Sequence, residues 1–161
     1  MINKYSSTNI YENKKRNSKL SSQMLYGEKF SIIKEYGGWY KIKTNYDKYV
    51  GFIKKKKFKI LSYKPTHKVS SLKANIFVKP SKNSRIKMKL SFASLLQVKW
   101  GYKNFLKFDN YWIQKSDVVP INYKEKIFEK ISIFRNVKYR WGGKKFDGVD
   151  CSGLVQLFYK F

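Results

Sequence analysis

The side chain best suited to covalent chemistry is Cys151, the single cysteine among 161 residues. A lone cysteine is by default a small buried hydrophobe, but the neighbours of this one change the reading. Asp150 has the type and position of a helix N-cap, and Ser152 suits a first turn. Leu154, Val155, Leu157, Phe158 and Phe161 follow in a helical pattern, with no C-terminal cap. A thiol in the first turn of a helix meets the positive end of the helix dipole and its unpaired N–H groups. These favour thiolate and can hold an oxyanion during acyl transfer. Gly142-Gly143 and Gly148 lie just upstream and let a substrate backbone come close to the sulfur. Read from the residues alone, Tyr139 and Trp141 could fill a core, and Asp150 could act as a plain cap.

Thiol chemistry also needs a base within hydrogen-bond reach. His67 is the one histidine, and it falls in Lys64-Pro65-Thr66-His67-Lys68, which reads as a linker where a histidine is solvated. One cysteine and one histidine exclude an internal disulfide framework and argue against a metal cluster, so neither metal nor cofactor is expected.

Two kinds of element must position these residues. Ile127, Phe128, Ile131 and Phe134 fall at helical spacing and predict an amphipathic helix whose stripe packs a core. Before about Pro120 the pattern is short alternating strands. Phe30-Ser31-Ile32-Ile33 and Trp39-Tyr40-Lys41-Ile42-Lys43 form a hairpin around Gly37-Gly38, which supplies positive φ. Tyr40 and Ile42 share one face, and Trp39, Lys41 and Lys43 the other. Tyr49-Val50-Gly51-Phe52-Ile53 completes a meander. After the linker the features return: Ala74-Asn75-Ile76-Phe77 matches Thr8-Asn9-Ile10-Tyr11, and Lys89-Leu90-Ser91-Phe92 stands where Met24-Leu25-Tyr26-Gly27 stood. Tyr111-Trp112-Ile113-Gln114-Lys115 matches Gly51-Phe52-Ile53-Lys54-Lys55. The separation drifts from 66 to 60 residues, the mark of a diverged duplication of two small closed barrels, which leave no sheet edge exposed.

The net charge is +26, from 36 basic and 10 acidic residues. Lys dominates, with Arg only at 16, 85, 135 and 140, and Ala occurs only at 74 and 93. Such a bias fits a composition rich in Lys, Asn, Ile, Tyr and Phe, together with generic affinity for polyanions. Lys54-Lys55-Lys56-Lys57 reads as a solvated edge. No apolar run reaches the roughly 18 residues of a membrane span. No signal peptide follows Met1, which reads as cytoplasmic, or as cell envelope if a front end is missing.

The repeated units resemble bacterial SH3-like domains. Gly27, Gly38-Trp39-Tyr40-Lys41-Ile42 and Gly51-Phe52-Ile53 carry the pattern in the first copy. The second keeps Trp112-Ile113 and lacks a Gly-Gly-Trp equivalent. Tyr139-Arg140-Trp141-Gly142-Gly143, then Gly148-Val149-Asp150-Cys151-Ser152-Gly153-Leu154-Val155, resembles the NlpC family of papain-like cell-wall endopeptidases from about residue 125 to 161. Two SH3-like units followed by this segment also resemble members that cleave murein peptides. The resemblance implies a mainly β fold with a C-terminal α part: SH3-like barrels at 1–63 and 64–120, then residues 121–161 as the helical N-terminal portion of a papain-like α+β domain. It implies Cys151 as nucleophile, Tyr139 lining the site, and Asp150 and Ser152 contacting substrate by holding its free amino terminus. The bond cut would be γ-D-glutamyl to diamino acid. Asn136-Val137-Lys138 departs from the usual Gly and Pro before the Tyr, a change of loop stiffness.

Relatives place a catalytic histidine on a strand well downstream of the cysteine, whereas ten residues follow Cys151 here. The expectation is therefore the front portion of a hydrolase with little or no turnover, and an exposed apolar face on the last helix. The expected partners are murein stem peptides or a cell-wall polymer, with no specific nucleic acid, and a monomer or weak self-association through that helix. The alternative is a non-catalytic SH3-like module that binds wall peptide or another anionic polymer, with Trp39, Lys41 and Lys43 as contacts. Nucleic-acid binding through the charge, with aromatic stacking, ranks below both.

Overall fold

The computed structural model describes residues 1–60, 62–124, 126 and 128–161. The fold is mainly β with one C-terminal helix. Strands β1 (Ser7–Tyr11), β2 (Leu20–Leu25), β3 (Phe30–Tyr36), β4 (Trp39–Thr44) and β5 (Val50–Lys54) form an antiparallel sheet in the order β2-β1-β5-β4-β3. Each strand contributes one apolar side chain to a shared core: Ile10, Met24, Phe30, Ile42 and Ile53 are all 1% exposed or less. Alternation does the sorting, since Ile42 is buried while Lys43 beside it is exposed.

After β6 (His67–Val69) come β7 (Lys73–Phe77), β8 (Ile86–Ser91), β9 (Leu95–Leu96), β10 (Val98–Tyr102), β11 (Phe105–Phe108) and β12 (Tyr111–Gln114). The second five-stranded sheet is ordered β10-β11-β12-β7-β8. Read from its other end, that is the order of the first. Its core residues Ile76, Leu90, Leu96 and Phe108 each lie 66 positions after Ile10, Met24, Phe30 and Ile42, and Ile113 lies 60 after Ile53. The bulge between Ile10 and Tyr11 recurs between Ile76 and Phe77, and that between Ile32 and Lys34 recurs between Val98 and Trp100. Turn hydrogen bonds repeat as well: Gly27 N–H to Asn3 O at 2.8 Å, and Ala93 N–H to Val69 O at 2.9 Å. The backbone is duplicated, and it corrects the sequence alignment by one residue, because Leu90 stands at the place of Met24, not of Leu25.

Several expectations change. The ladder order leaves β2 and β3 as the two edges of the first sheet, so the ladder does not close into a full barrel. The β3–β4 hairpin turns through Gly37-Gly38 as expected, with Tyr36 opposite Trp39, yet neither glycine takes a positive φ. Both are exposed, with open space where a Cβ would stand. The supposed linker ends in a strand: β6 lies between β9 and β13 (Val118–Pro120) in a three-stranded sheet. Lys68 there is 3% exposed, and its ammonium donates to the carbonyls of Tyr123 and Phe161. A stem that packs and a charge that finds carbonyls let a lysine sit inside.

The amphipathic helix expected at 127–134 is replaced by turns and a short 3-10 helix at Ile131–Phe134; Ile127 lies outside the described residues. Phe128 has φ of 68°, which an α-helix cannot accommodate. Among the described residues of the expected stripe only Phe134 is buried. The chain then forms β14 (Lys144–Lys145), β15 (Gly148–Val149) and α1 (Cys151–Lys160). The face of α1 expected to be bare is partly covered: Leu157 and Phe158 are buried, and Val155 is the exposed one. Phe92, just after β8, supplies the cover, packing on Phe134, Phe158 and Phe161 at ring-centroid distances of 5.7, 5.2 and 4.4 Å.

Candidate active site

Cys151 is the first residue of α1 and is exposed. Asp150 fixes that helix start. One carboxylate oxygen accepts the Gly153 N–H at 2.6 Å and the Ser152 hydroxyl at 2.9 Å, and the other accepts the Gly142 N–H at 2.7 Å. A single carboxylate thus caps the helix and ties the glycine turn to it. The Asp150 carbonyl takes the Leu154 N–H at 2.9 Å. The N–H groups of Cys151 and Ser152, which precede the first possible intrahelical donor, stay open at the positive end of the helix.

The turn itself depends on glycine. Gly142 has φ of +67° and lies where a Cβ would press on Ser21 of β2, with the Ser21 carbonyl carbon at 2.9 Å. A Cβ on Gly153 would run into the Gly143 carbonyl oxygen. The loop before the cysteine is therefore clamped between α1 and the first sheet. Gln23 of β2, 1% exposed, completes the clamp by accepting the Lys144 N–H at 2.9 Å. Lys144 in turn pairs with Asp47 at 3.0 Å. Burial raises the Asp47 carboxyl, but the Thr44 hydroxyl, the Lys144 ammonium and the Tyr49 N–H outweigh it and hold the group below the usual aspartate range. Gln23, Asp47 and Lys144 give no sign in the sequence, because their partners are 97 to 121 residues away.

Tyr139 bridges Val149 through parallel backbone pairing, so it lies beside the strand that leads into Cys151. Tyr139 is 67% exposed and Trp141 66%. Neither fills a core; both stand at the surface on the segment upstream of Cys151. Ser152 is exposed, bonded to Asp150. The structure thus brings Tyr139, Asp150, Cys151 and Ser152 into one short stretch of surface.

His67 is not part of it. Its imidazole meets the Thr66 hydroxyl at 3.0 Å, and burial pushes its pKa down. The adjacent Lys68 reaches Phe161, at the far end of α1. That end lies about 15 Å from Cys151 at 1.5 Å of rise per residue. Among the described residues no group of His, Cys, Asp and Glu could hold a metal, and no helix is long and apolar enough to cross a membrane.

Residues 136–161 match the NlpC/P60 family, and residues 10–58 match the bacterial dipeptidyl-peptidase SH3 domain. A gamma-D-glutamyl-L-lysine dipeptidyl-peptidase of Bacillus subtilis (strain 168) is 27% identical over 159 residues, covering 88% of this chain and 53% of that protein. The chain spans about half the length of that curated relative. The crystal structure of an NlpC/P60 family protein from Bacillus cereus ATCC 10987 has a TM-score of 0.78 at 17% identity, over 99% of this chain and 71% of that one. That second likeness is one of fold.

Proposed function

We propose that this chain carries the nucleophile-bearing part of a cysteine peptidase that acts on murein peptides, at the bond between γ-D-glutamate and the following diamino acid. The observation that carries the reading is the start of α1, where Asp150 presents an exposed Cys151 beside two open N–H groups, with the exposed Tyr139 paired to the strand that leads into it. Cys151 attacks the γ-carbonyl carbon, and the N–H groups of Cys151 and Ser152 receive the developing oxyanion. Tyr139 borders the carbonyl's approach. Asp150 and Ser152 contact the peptide's amino terminus. The name of the Bacillus subtilis relative supports the choice of bond. The shared strand order and core positions support reading residues 64–120 as a second SH3-like unit.

These 161 residues place no histidine at Cys151, so by themselves they turn over little or no substrate. The test has two parts. An electrophilic γ-D-glutamyl peptide should add once, at Cys151, and faster than its α-linked isomer, as read by intact mass; equal labelling of both isomers contradicts the substrate. Release of dipeptide from a murein tripeptide should be negligible. Robust release that disappears in Cys151→Ala would overturn the claim of inactivity.

A further inference from the structure

A cleft of about 260 Å³ separates the first sheet from the loop that leads to Cys151. Arg140 and Lys145 line it from the loop, and Lys54 and Lys56 from the end of β5 and just beyond; Tyr11 of β1 and Gln23 of β2 line it from the same sheet as Lys54. No carboxylate lines it. The acidic groups nearby are engaged: Asp150 with the helix cap and glycine turn, Asp47 with Lys144, and Asp147 with Lys145 at 2.9 Å. Lys145 is thus already half neutralised. Arg140, Lys54 and Lys56 have no carboxylate partner among the described residues.

The walls are fixed relative to one another. Gln23 donates to Asn9 at 2.8 Å within the first sheet and accepts from the Lys144 N–H at 2.9 Å on the loop. The Tyr11 ring meets Trp39 edge-on at 5.5 Å, and the Lys54 ammonium lies 5.9 Å from the Trp39 ring centre. An aromatic wall therefore adjoins the cations. The Arg140 N–H donates to Val149 O at 3.1 Å, and Val149 is two residues before Cys151. At 3.3–3.6 Å per extended residue this sets the arginine's backbone within about 10 Å of the nucleophile's.

We propose that this cleft is an anion subsite, which takes a carboxylate of the acidic peptide whose acyl group Cys151 attacks. The planar fork of Arg140 grips the carboxylate bidentately, with Lys54 and Lys56 as supporting point charges. The choice of a peptide carboxylate rests on the murein-peptide reading; the charge and shape of the cleft do not. A free phosphate would present the same oxyanion, so the test separates the two sources.

The test is a binding titration of the full 161-residue chain at low salt, followed by tryptophan emission. Its ligands are a γ-D-glutamyl dipeptide with a free carboxylate, the same peptide amidated at that position, and inorganic phosphate. The free acid should bind at least about tenfold tighter than the amide, as the loss of a charge-assisted pair implies. Arg140→Gln should erase the difference, Arg140→Lys should restore part of it, and Lys87→Gln on β8 should leave it intact. Equal affinity for acid and amide, unchanged in Arg140→Gln, overturns the subsite and leaves the peptide reading standing. Phosphate binding that Arg140→Gln abolishes, with no affinity for either peptide, supports the subsite and removes the peptide reading. Absence of binding by all three ligands overturns the subsite.

Discussion

The two five-stranded units share one backbone and differ in what they hold. Residue 26 in the first and residue 92 in the second are equivalent, each one step beyond the second strand of its sheet. Tyr26 inserts into the core of the second unit, edge-on to Phe108 at 5.7 Å. Its hydroxyl bonds to Asp109, which Lys4 also pairs at 3.0 Å. Phe92 inserts instead into the C-terminal segment, among Phe134, Phe158 and Phe161. A duplicated plug thus ties each unit to the next one along the chain. The second difference lies in the turn after the fourth strand. The separation of equivalent residues falls from 66 to 60 between the pairs Ile42–Gly51 and Phe108–Tyr111, so the first unit carries six more residues there. That longer turn holds Asp47, the partner of Lys144 in the loop before Cys151. Duplication supplied the scaffold, and divergence at one plug and one turn made it a mount for the candidate site.

Removing the second plug should have the largest effect. Phe92→Ala deletes a fully buried ring and should cost about 3–5 kcal/mol. Hydrogen exchange should show the loss confined to residues after about 130, with strand amides of both sheets still protected. Tyr26→Ala should instead loosen the joint between the sheets. Uniform loss of protection in Phe92→Ala would mean that the chain opens as one body and that the plugs do not divide its labour.

What the sequence made legible was local. The β3–β4 hairpin, the Asp150 cap and the first-turn place of Cys151 follow from neighbours within a few residues, and the repeat follows from alternation that both copies keep. What it hid was distant. His67 and Lys68 read as linker because polar residues mark loops, whereas Lys68 is 3% exposed and its ammonium lies 4.3 Å from the Phe161 ring centre. The bare face expected on α1 ignored Phe92, whose ring arrives from 66 residues before Phe158 in the sequence. The stripe over 127–134 had helical spacing, yet its described residues form turns and a short 3-10 helix, since the positive φ of Phe128 rules out a continuous α-helix. The clamp by Gln23 and Lys144 had no sequence signal at all.

A middling effect should come from the left-handed residue that follows each plug. Gly27 has φ of 82°, and a Cβ there would collide with the Leu95 carbonyl of the second unit. Its counterpart Ala93 has φ of 62° and already carries a Cβ. Gly27→Ala should therefore destabilise by about 2 kcal/mol, from backbone strain together with the clash. Ala93→Gly should stay within about 0.5 kcal/mol, because relief of that strain offsets the lost methyl. Urea unfolding midpoints of the two variants give the comparison. Equal costs would show that the joint between the sheets is no closer than the joint to the helix.

The smallest effect should come from the longer turn, and its signature is dependence on acid. The Asp47 carboxyl titrates below its ordinary value of 3.8 because Thr44, Lys144 and the Tyr49 N–H outweigh its burial. A group depressed on folding adds stability that is complete above its unfolded value and is lost as pH falls through the folded one. Protection of the 142–161 segment should therefore be flat near neutrality and decline below pH 3.8, where the Asp47–Lys144 tie weakens. Asp47→Asn should lower stability at pH 7 by about 1 kcal/mol, since the amide oxygen still accepts from Lys144 while the charge is gone. It should also flatten the acid decline of that segment relative to the parent. The second unit's short turn holds Asp109, which pairs with Lys4 and not with the C-terminal segment, while Glu28 ties the end of α1 independently through Lys160. A parent-like acid decline in Asp47→Asn would mean that another carboxylate ties the loop, and the six extra residues would then serve something other than docking.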